Sequence, residues 1–173
     1  VLRPLNYPPG VPGRGYLVHD KIMVVNLIGR TFMNDYDCPF RTMDTLLNSV
    51  NPLPPIIVID FHAEATSEKA ALGHYLDGRV SAVLGTHTHV GTIDSHILRK
   101  GTAYVSDIGM TGPADSVIGD SIDTVIPRFL TMMPSRLSVA DGRPVLTAIM
   151  VDIDEATGKA TAIERINREM KKK

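Results

Sequence analysis

The sequence predicts an α/β fold, built as a single domain over residues 1–173. Three observations predict it. "IIVID", residues 56–60, and "RVSAVLG", residues 79–85, are short apolar runs of the kind that strands show when both faces are covered. A stretch with helical periodicity precedes each run. His62 and His87 stand just past the two runs, at the sheet edge where open α/β folds bind ligands.

The remaining elements follow in chain order. "VLRPLNYPPGVPGRGY" holds four prolines and three glycines in its 16 residues, so residues 1–14 are expected to be a connector between two parts of a protein. "GYLVHD" and "KIMVVNLIG" read as two strands of a hairpin. "FRTMDTLLNSV" carries Phe40, Met43, Leu46, Leu47 and Val50 at helical spacing. "TSEKAALGHYLDG" is a second helix, with Thr66 or Ser67 as its cap, Glu68 in the first turn and Gly78 in the left-handed position after it. "HILRKGTAYVSDIG" reads as a hairpin turning at Lys100-Gly101, and "GMTGPADSVIGD" as a Gly-rich loop. "DTVIPRFLTMM" is a helix begun or interrupted near Pro127. Residues 136–166 alternate well enough for three antiparallel strands, with Asp141-Gly142 as a hairpin turn and "DEATGKA" as a longer one.

Composition removes several classes of function. Eighteen basic and nineteen acidic residues give a net charge of −1, so no nucleic-acid surface or basic membrane face is expected. The terminal Lys171–Lys173 run reads as a solvated end. A single cysteine, Cys38, cannot form an internal disulfide and fits a reducing, cytoplasmic setting. No apolar stretch approaches the ~18 residues of a membrane-spanning helix, and no signal-peptide pattern is visible.

The chemistry is expected among the histidines. His19, His74 and His96 have ordinary surface or helix contexts. His62, His87 and His89 lie at strand ends. Residues two apart on an extended segment point to one side, so His87 and His89 are expected to face one site, with Thr88 turned away. A residue leaving the neighbouring strand, about 5 Å away, can reach the same place, and His62 is positioned to do so. Imidazoles suit borderline divalent metals. Asp60, Glu64 and Asp107 lie near the same edge and are candidates to orient a ligating imidazole through its second nitrogen. Residue types alone leave two readings open: a single ion on His62, His87 and His89 with Glu64 as base, or a metal-free binding or scaffolding module.

At these residues the sequence resembles a known family. "IIVIDFHAEATSEKAALGHYLDGRVSAVLGTHTHVGTID", followed by "ILRKGTAYVSDIGMTGP", is similar to the YmdB-type metallophosphoesterases of the calcineurin-like phosphoesterase superfamily. The likeness runs over nearly the whole chain. It implies a four-layer α/β/β/α sandwich and hydrolysis of phosphodiesters such as 2′,3′-cyclic AMP. It also implies two divalent ions per complete site, iron or manganese first and zinc also possible. By motif match, His62 and His87 are implied ligands of one ion and His89 of the other.

The chain also departs from that family. The resemblance implies a metal-binding Asp, a "GEN"-like segment with a bridging Glu, and a "GNH"-like segment with an Asn ligand and the general-acid histidine. None is found here: Asn26 in "VVNLIG" and Asn34 in "MNDYD" lie in different contexts. The chain is therefore expected to supply only the histidine part of the site and to be inactive alone, the rest coming from a missing N-terminal segment or a complementary chain. An exposed apolar edge beside "IIVID", and with it a homo-oligomer, is a further expectation.

Overall fold

The computed structural model describes residues 1–169, and the Lys171–Lys173 run lies outside them. Strands β1 (Tyr16–His19) and β2 (Ile22–Ile28) form the expected hairpin around Asp20, which takes the left-handed φ of 50° that a two-residue turn requires. Helix α1 (Pro39–Ser49) opens on proline, whose missing N–H costs nothing in a first turn. Strand β3 (Ile56–His62) follows, then helix α2 (Thr66–Leu76), strand β4 (Ala82–Thr86), β5 (His96–Ile97), β6 (Ala103–Val105) and β7 (Thr111–Pro113). Helix α3 (Ile122–Thr131) and the long strands β8 (Pro144–Ile153) and β9 (Ala160–Glu169) complete the order.

Six strands form one sheet in the order β1-β2-β3-β4-β6-β5, in which β2, β3, β4 and β6 run parallel. The other three form an antiparallel sheet, β7-β8-β9. Both faces of β3 are used. Ile57, Ile59 and Phe61 pack with Met23, Val25 and Leu27 against Met43 and Leu46 of α1 and Leu72 and Leu76 of α2. On the other face Val58 and Leu84 meet Val151 and Ile163 of the second sheet, across the small residues Ala82, Ala103 and Ala160. Asp60 and His62 share that second face by strand alternation. The α1/α2 layer and the two sheets supply three layers of the implied sandwich.

Several expectations need correction. Helix α2 is preceded by Ala65 as the cap residue, with no capping side chain; Thr66 and Ser67 already lie within its first turn. The third antiparallel strand is β7, not residues 136–140. The reason is that residues 114–143 leave the sheet and return, closed by the Ala114 N–H on the Arg143 carbonyl at 2.8 Å. Val139 makes only an isolated bridge to Asp120, and Asp141-Gly142 joins no two strands. Helix α3 begins at Ile122 and runs through Pro127. No bare edge lies beside Ile56–Asp60: β3 is central, and the edges are β1 and β5. The exposed apolar edge of this sheet is β1, two strands away, where Tyr16, Leu17 and Val18 are exposed beside Ile22 and Val24 of β2. Among the described residues no helix is long and apolar enough to cross a membrane.

Candidate metal centre

The parallel register sets Ile28, His62 and Thr86 side by side at the ends of β2, β3 and β4. His62 is the last residue of β3 rather than one beyond it. Its Nδ1 lies 3.3 Å from the Thr86 hydroxyl, which donates to Asp60 Oδ1 at 2.9 Å. The Asn26 amide donates to the other Asp60 oxygen at 2.7 Å. A carboxylate has no proton to give, so the Thr86 proton goes to Asp60 and the hydroxyl oxygen accepts the His62 Nδ1–H. Nε2 of His62 is left as a lone pair. Burial first, and then the nearby His87, hold the His62 imidazole below its ordinary pKa, which keeps it neutral near pH 7. Asp60 thus acts on His62 through Thr86, a link that only the strand register reveals.

β4 stops at Thr86, and the histidines beyond it are not extended. His87 has φ 124° and His89 φ 64°, both in the left-handed region that non-glycine residues avoid. Each such residue costs on the order of 1–3 kcal/mol and persists only where its surroundings hold it. The expected alternation therefore fails, and the two imidazoles go to different places. His87 meets His62 edge to face, with Nδ1 3.0 Å from His62 Nε2 and Nε2 2.6 Å from a Glu64 oxygen. His89 donates Nδ1–H to the Ile118 carbonyl at 2.7 Å. Thr88, between them, gives its N–H to Asp107 Oδ2 at 2.9 Å.

Each of the three imidazoles has one nitrogen committed to an oxygen: Thr86 for His62, Glu64 for His87, Ile118 for His89. This is how ligating histidines are held in proteins, with the second nitrogen fixing tautomer and ring orientation. At His62 and His87 the free nitrogens face each other. If both rings are neutral and His87 gives its proton to Glu64, two lone pairs meet at 3.0 Å, which is repulsive. A cation between them, or an extra proton on His87, closes the count. Two nitrogens each roughly 2.1 Å from one ion, at a right angle, stand about 3.0 Å apart, so the observed spacing suits a pair of adjacent ligands. Among the described residues no group of three or more His, Cys, Asp or Glu is arranged to hold an ion. The fit is thus to two nitrogens of a shell, with His89 directed elsewhere.

Asp107 does not touch an imidazole. It is 1% exposed and paired with Lys69, also 1% exposed, at 3.2 Å. Burial pushes its carboxyl up, but the N–H groups of Gly109 and Thr88, the Thr88 side chain and the Lys69 ammonium outweigh that and hold it below the ordinary carboxylate range. From the second sheet, Arg165 donates to the carbonyls of Thr92, Asp107 and Ile108 and braces the same loop. Glu68, expected only to favour a helix start, is buried and accepts the N–H groups of Arg30 and Thr31. Nothing local in the sequence marks Lys69 or Glu68 as buried, or Arg165 as a brace, because their partners are 37 to 73 residues away.

The family described as YmdB-like protein matches residues 1–166. The chain belongs to the YmdB-like family. One relative is a Bacillus subtilis (strain 168) protein named 2′,3′-cyclic-nucleotide 2′-phosphodiesterase, 52% identical over 170 residues that make up 96% of this chain and 64% of the relative. A Mycoplasma pneumoniae protein named putative phosphatase/phosphodiesterase is 33% identical, over 96% of this chain and 62% of its own length. The chain therefore spans less than two thirds of these curated relatives. Among solved structures, a hypothetical protein of Thermus thermophilus superposes with a TM-score of 0.91 at 45% identity, over 97% of this chain and 67% of that one. A structure described as a novel phosphatase from Mycoplasma pneumoniae gives 0.88 at 32% identity, over 97% of this chain and 63% of that one. The α/β fold is thus shared with these two solved structures, one of them described as a phosphatase.

Proposed function

We propose that the chain supplies the histidine wall of a divalent-metal phosphodiesterase site, acting on small phosphodiesters of the 2′,3′-cyclic nucleotide class. The observation that carries this reading is the pair His62 Nε2 and His87 Nδ1, 3.0 Å apart at the C-terminal edge of two parallel strands, with both second nitrogens anchored to oxygens. The name of the Bacillus subtilis relative supports the substrate class. Iron and manganese are the proposed ions, with zinc also suited to imidazole.

In this reading His62 and His87 hold one ion, and His89 contributes Nε2 to the second. Asp60, through Thr86, keeps the His62 proton on Nδ1. Glu64 keeps the His87 proton on Nε2, so it orients a ligand and is not free to act as a base. Bound divalent ions supply Lewis acidity toward the phosphate oxygens and lower the pKa of water, and neutral imidazoles cancel none of their charge. A metal pair also needs a bridging group, normally a carboxylate. Glu64 is already bonded to His87, and Asp60 to Asn26 and Thr86. The bridge and the general acid are therefore proposed to come from residues outside these 173, carried by an adjoining segment or a second chain.

The test is hydrolysis with metal control. The whole protein loaded with Mn²⁺ should hydrolyse 2′,3′-cyclic AMP and bis-p-nitrophenyl phosphate, lose this with EDTA and regain it with Mn²⁺. Residues 1–173 alone should show negligible turnover. Hydrolysis that survives metal removal would overturn the metal reading, and robust turnover by this chain alone would overturn the divided site. A protein that takes up neither Mn²⁺ nor Fe²⁺ under reducing conditions would point instead to a metal-free binding module.

A further inference from the structure

The loop that presents the histidines has an unusual support. Thr88 lies between two residues in the left-handed region, His87 and His89. Its N–H is held by Asp107 Oδ2 at 2.9 Å, while Asp107 Oδ1 holds the Gly109 N–H at 2.9 Å. Lys69 donates to the same Oδ2 that Thr88 uses, at 3.2 Å. The Lys69 stem lies against β4, its Cδ 3.1 Å from where a Cβ on Gly85 would stand. Both charges are 1% exposed. A buried ion pair is weak ground for stability, since well-packed apolar residues of equal size do as well or better. What an apolar pair lacks is an acceptor for Thr88 and Gly109, and strained backbone needs over-determined surroundings.

We propose that Lys69 and Asp107 are positioning residues of the metal site: Asp107 fixes the Thr88 amide and so the peptide joining His87 to His89, and Lys69 fixes Asp107. This rests on the metal reading above. Removing the pair should leave a folded protein whose histidine loop relaxes from φ 124° and 64° toward ordinary backbone, carrying both imidazoles away from their ligating positions. Both residues act through Thr88, with neither assigned a contact to metal or substrate.

The test uses the whole protein, with Co²⁺ and Mn²⁺ as probes. Affinity is read by competition with a chelating dye, and site symmetry by the visible Co²⁺ spectrum, both well below the melting temperature. Lys69→Met and Asp107→Asn should each weaken binding about 10–100-fold, the range for partners that orient a ligand, and change the Co²⁺ spectrum. Leu46→Ala, in the distant core, should lower the melting temperature and leave affinity and spectrum unchanged. The double variant Lys69→Met/Asp107→Asn leaves no uncompensated charge, so it should recover stability over the singles and still bind weakly. Its amide offers one acceptor oxygen where two N–H groups need one each. The double variant also carries the test if a single variant does not fold. Wild-type affinity and spectrum in the folded variants, or affinity returning with stability in the double, would overturn the positioning role. Failure of the metal reading looks different: the wild type itself would bind no Co²⁺, or His87→Ala would bind as the wild type does.

Discussion

His87→Ala should remove metal binding by the whole protein. Partners that merely orient a ligand are worth about 10–100-fold in affinity, so loss of a ligating nitrogen should cost more than about 100-fold. Turnover should fall at least in proportion, since the same ring is one of the two that converge at 3.0 Å. The loss should not come from unfolding, because His87 lies at a loop and not in the core. His87→Gly sharpens the point. Position 87 has φ 124°, which glycine adopts freely and alanine does not. The glycine variant should be the more stable of the two, by about 1 kcal/mol, while both lack metal. Isothermal titration with Mn²⁺ and thermal melts of the metal-free proteins check this. Metal binding by either variant at wild-type affinity would contradict the role of His87.

Gly85→Ala should be the most damaging single methyl in the chain. Gly85 sits in β4 opposite Phe61 and hands its carbonyl to the Ile108 N–H at 2.9 Å. A Cβ there would overlap the Ser106 carbonyl oxygen, stand 2.6 Å from its carbon and press on the Lys69 stem at 3.1 Å. The Ser106 backbone cannot rotate away as a side chain can. Overpacking of this kind costs about 3 kcal/mol or more, a fall of roughly 6–12 °C in melting temperature for a chain of this size. Any folded variant should also bind metal poorly, because Ser106 and Asp107 move together. A scanning calorimetry trace with an unchanged midpoint would contradict the close approach of β4 to residues 106–108.

The two central strands and the first two helices were legible because burial on both faces forces near-continuous apolar runs, as in Ile56–Ile59 and Val80–Leu84. The candidate ligands stand out in the sequence for a different reason: they are imidazoles at or just past the ends of two such strands, within the motifs "DFHAEATSEK" and "GTHTHV". What the sequence could not show is how His87 and His89 part. Alternation assumes extended backbone, and the backbone here is set by contacts distant in sequence, Asp107 on Thr88 and Ser106 against Gly85. Lys69 reads as one more solvated residue of "TSEKAAL" until its partner 38 residues on is known. The third strand of the small sheet was misplaced because residues 136–140 alternate well yet belong to an excursion, while "TGP" has no strand propensity and pairs only because β8 extends past it.

One divalent ion is proposed to sit between His62 and His87. Anomalous diffraction from crystals of the Mn²⁺-loaded whole protein tests it most directly. An anomalous peak is expected within roughly 2.3 Å of both His62 Nε2 and His87 Nδ1, with Glu64 still bonded to His87 Nε2. A fully loaded crystal whose anomalous peaks all lie beyond bonding distance of these two nitrogens would contradict it.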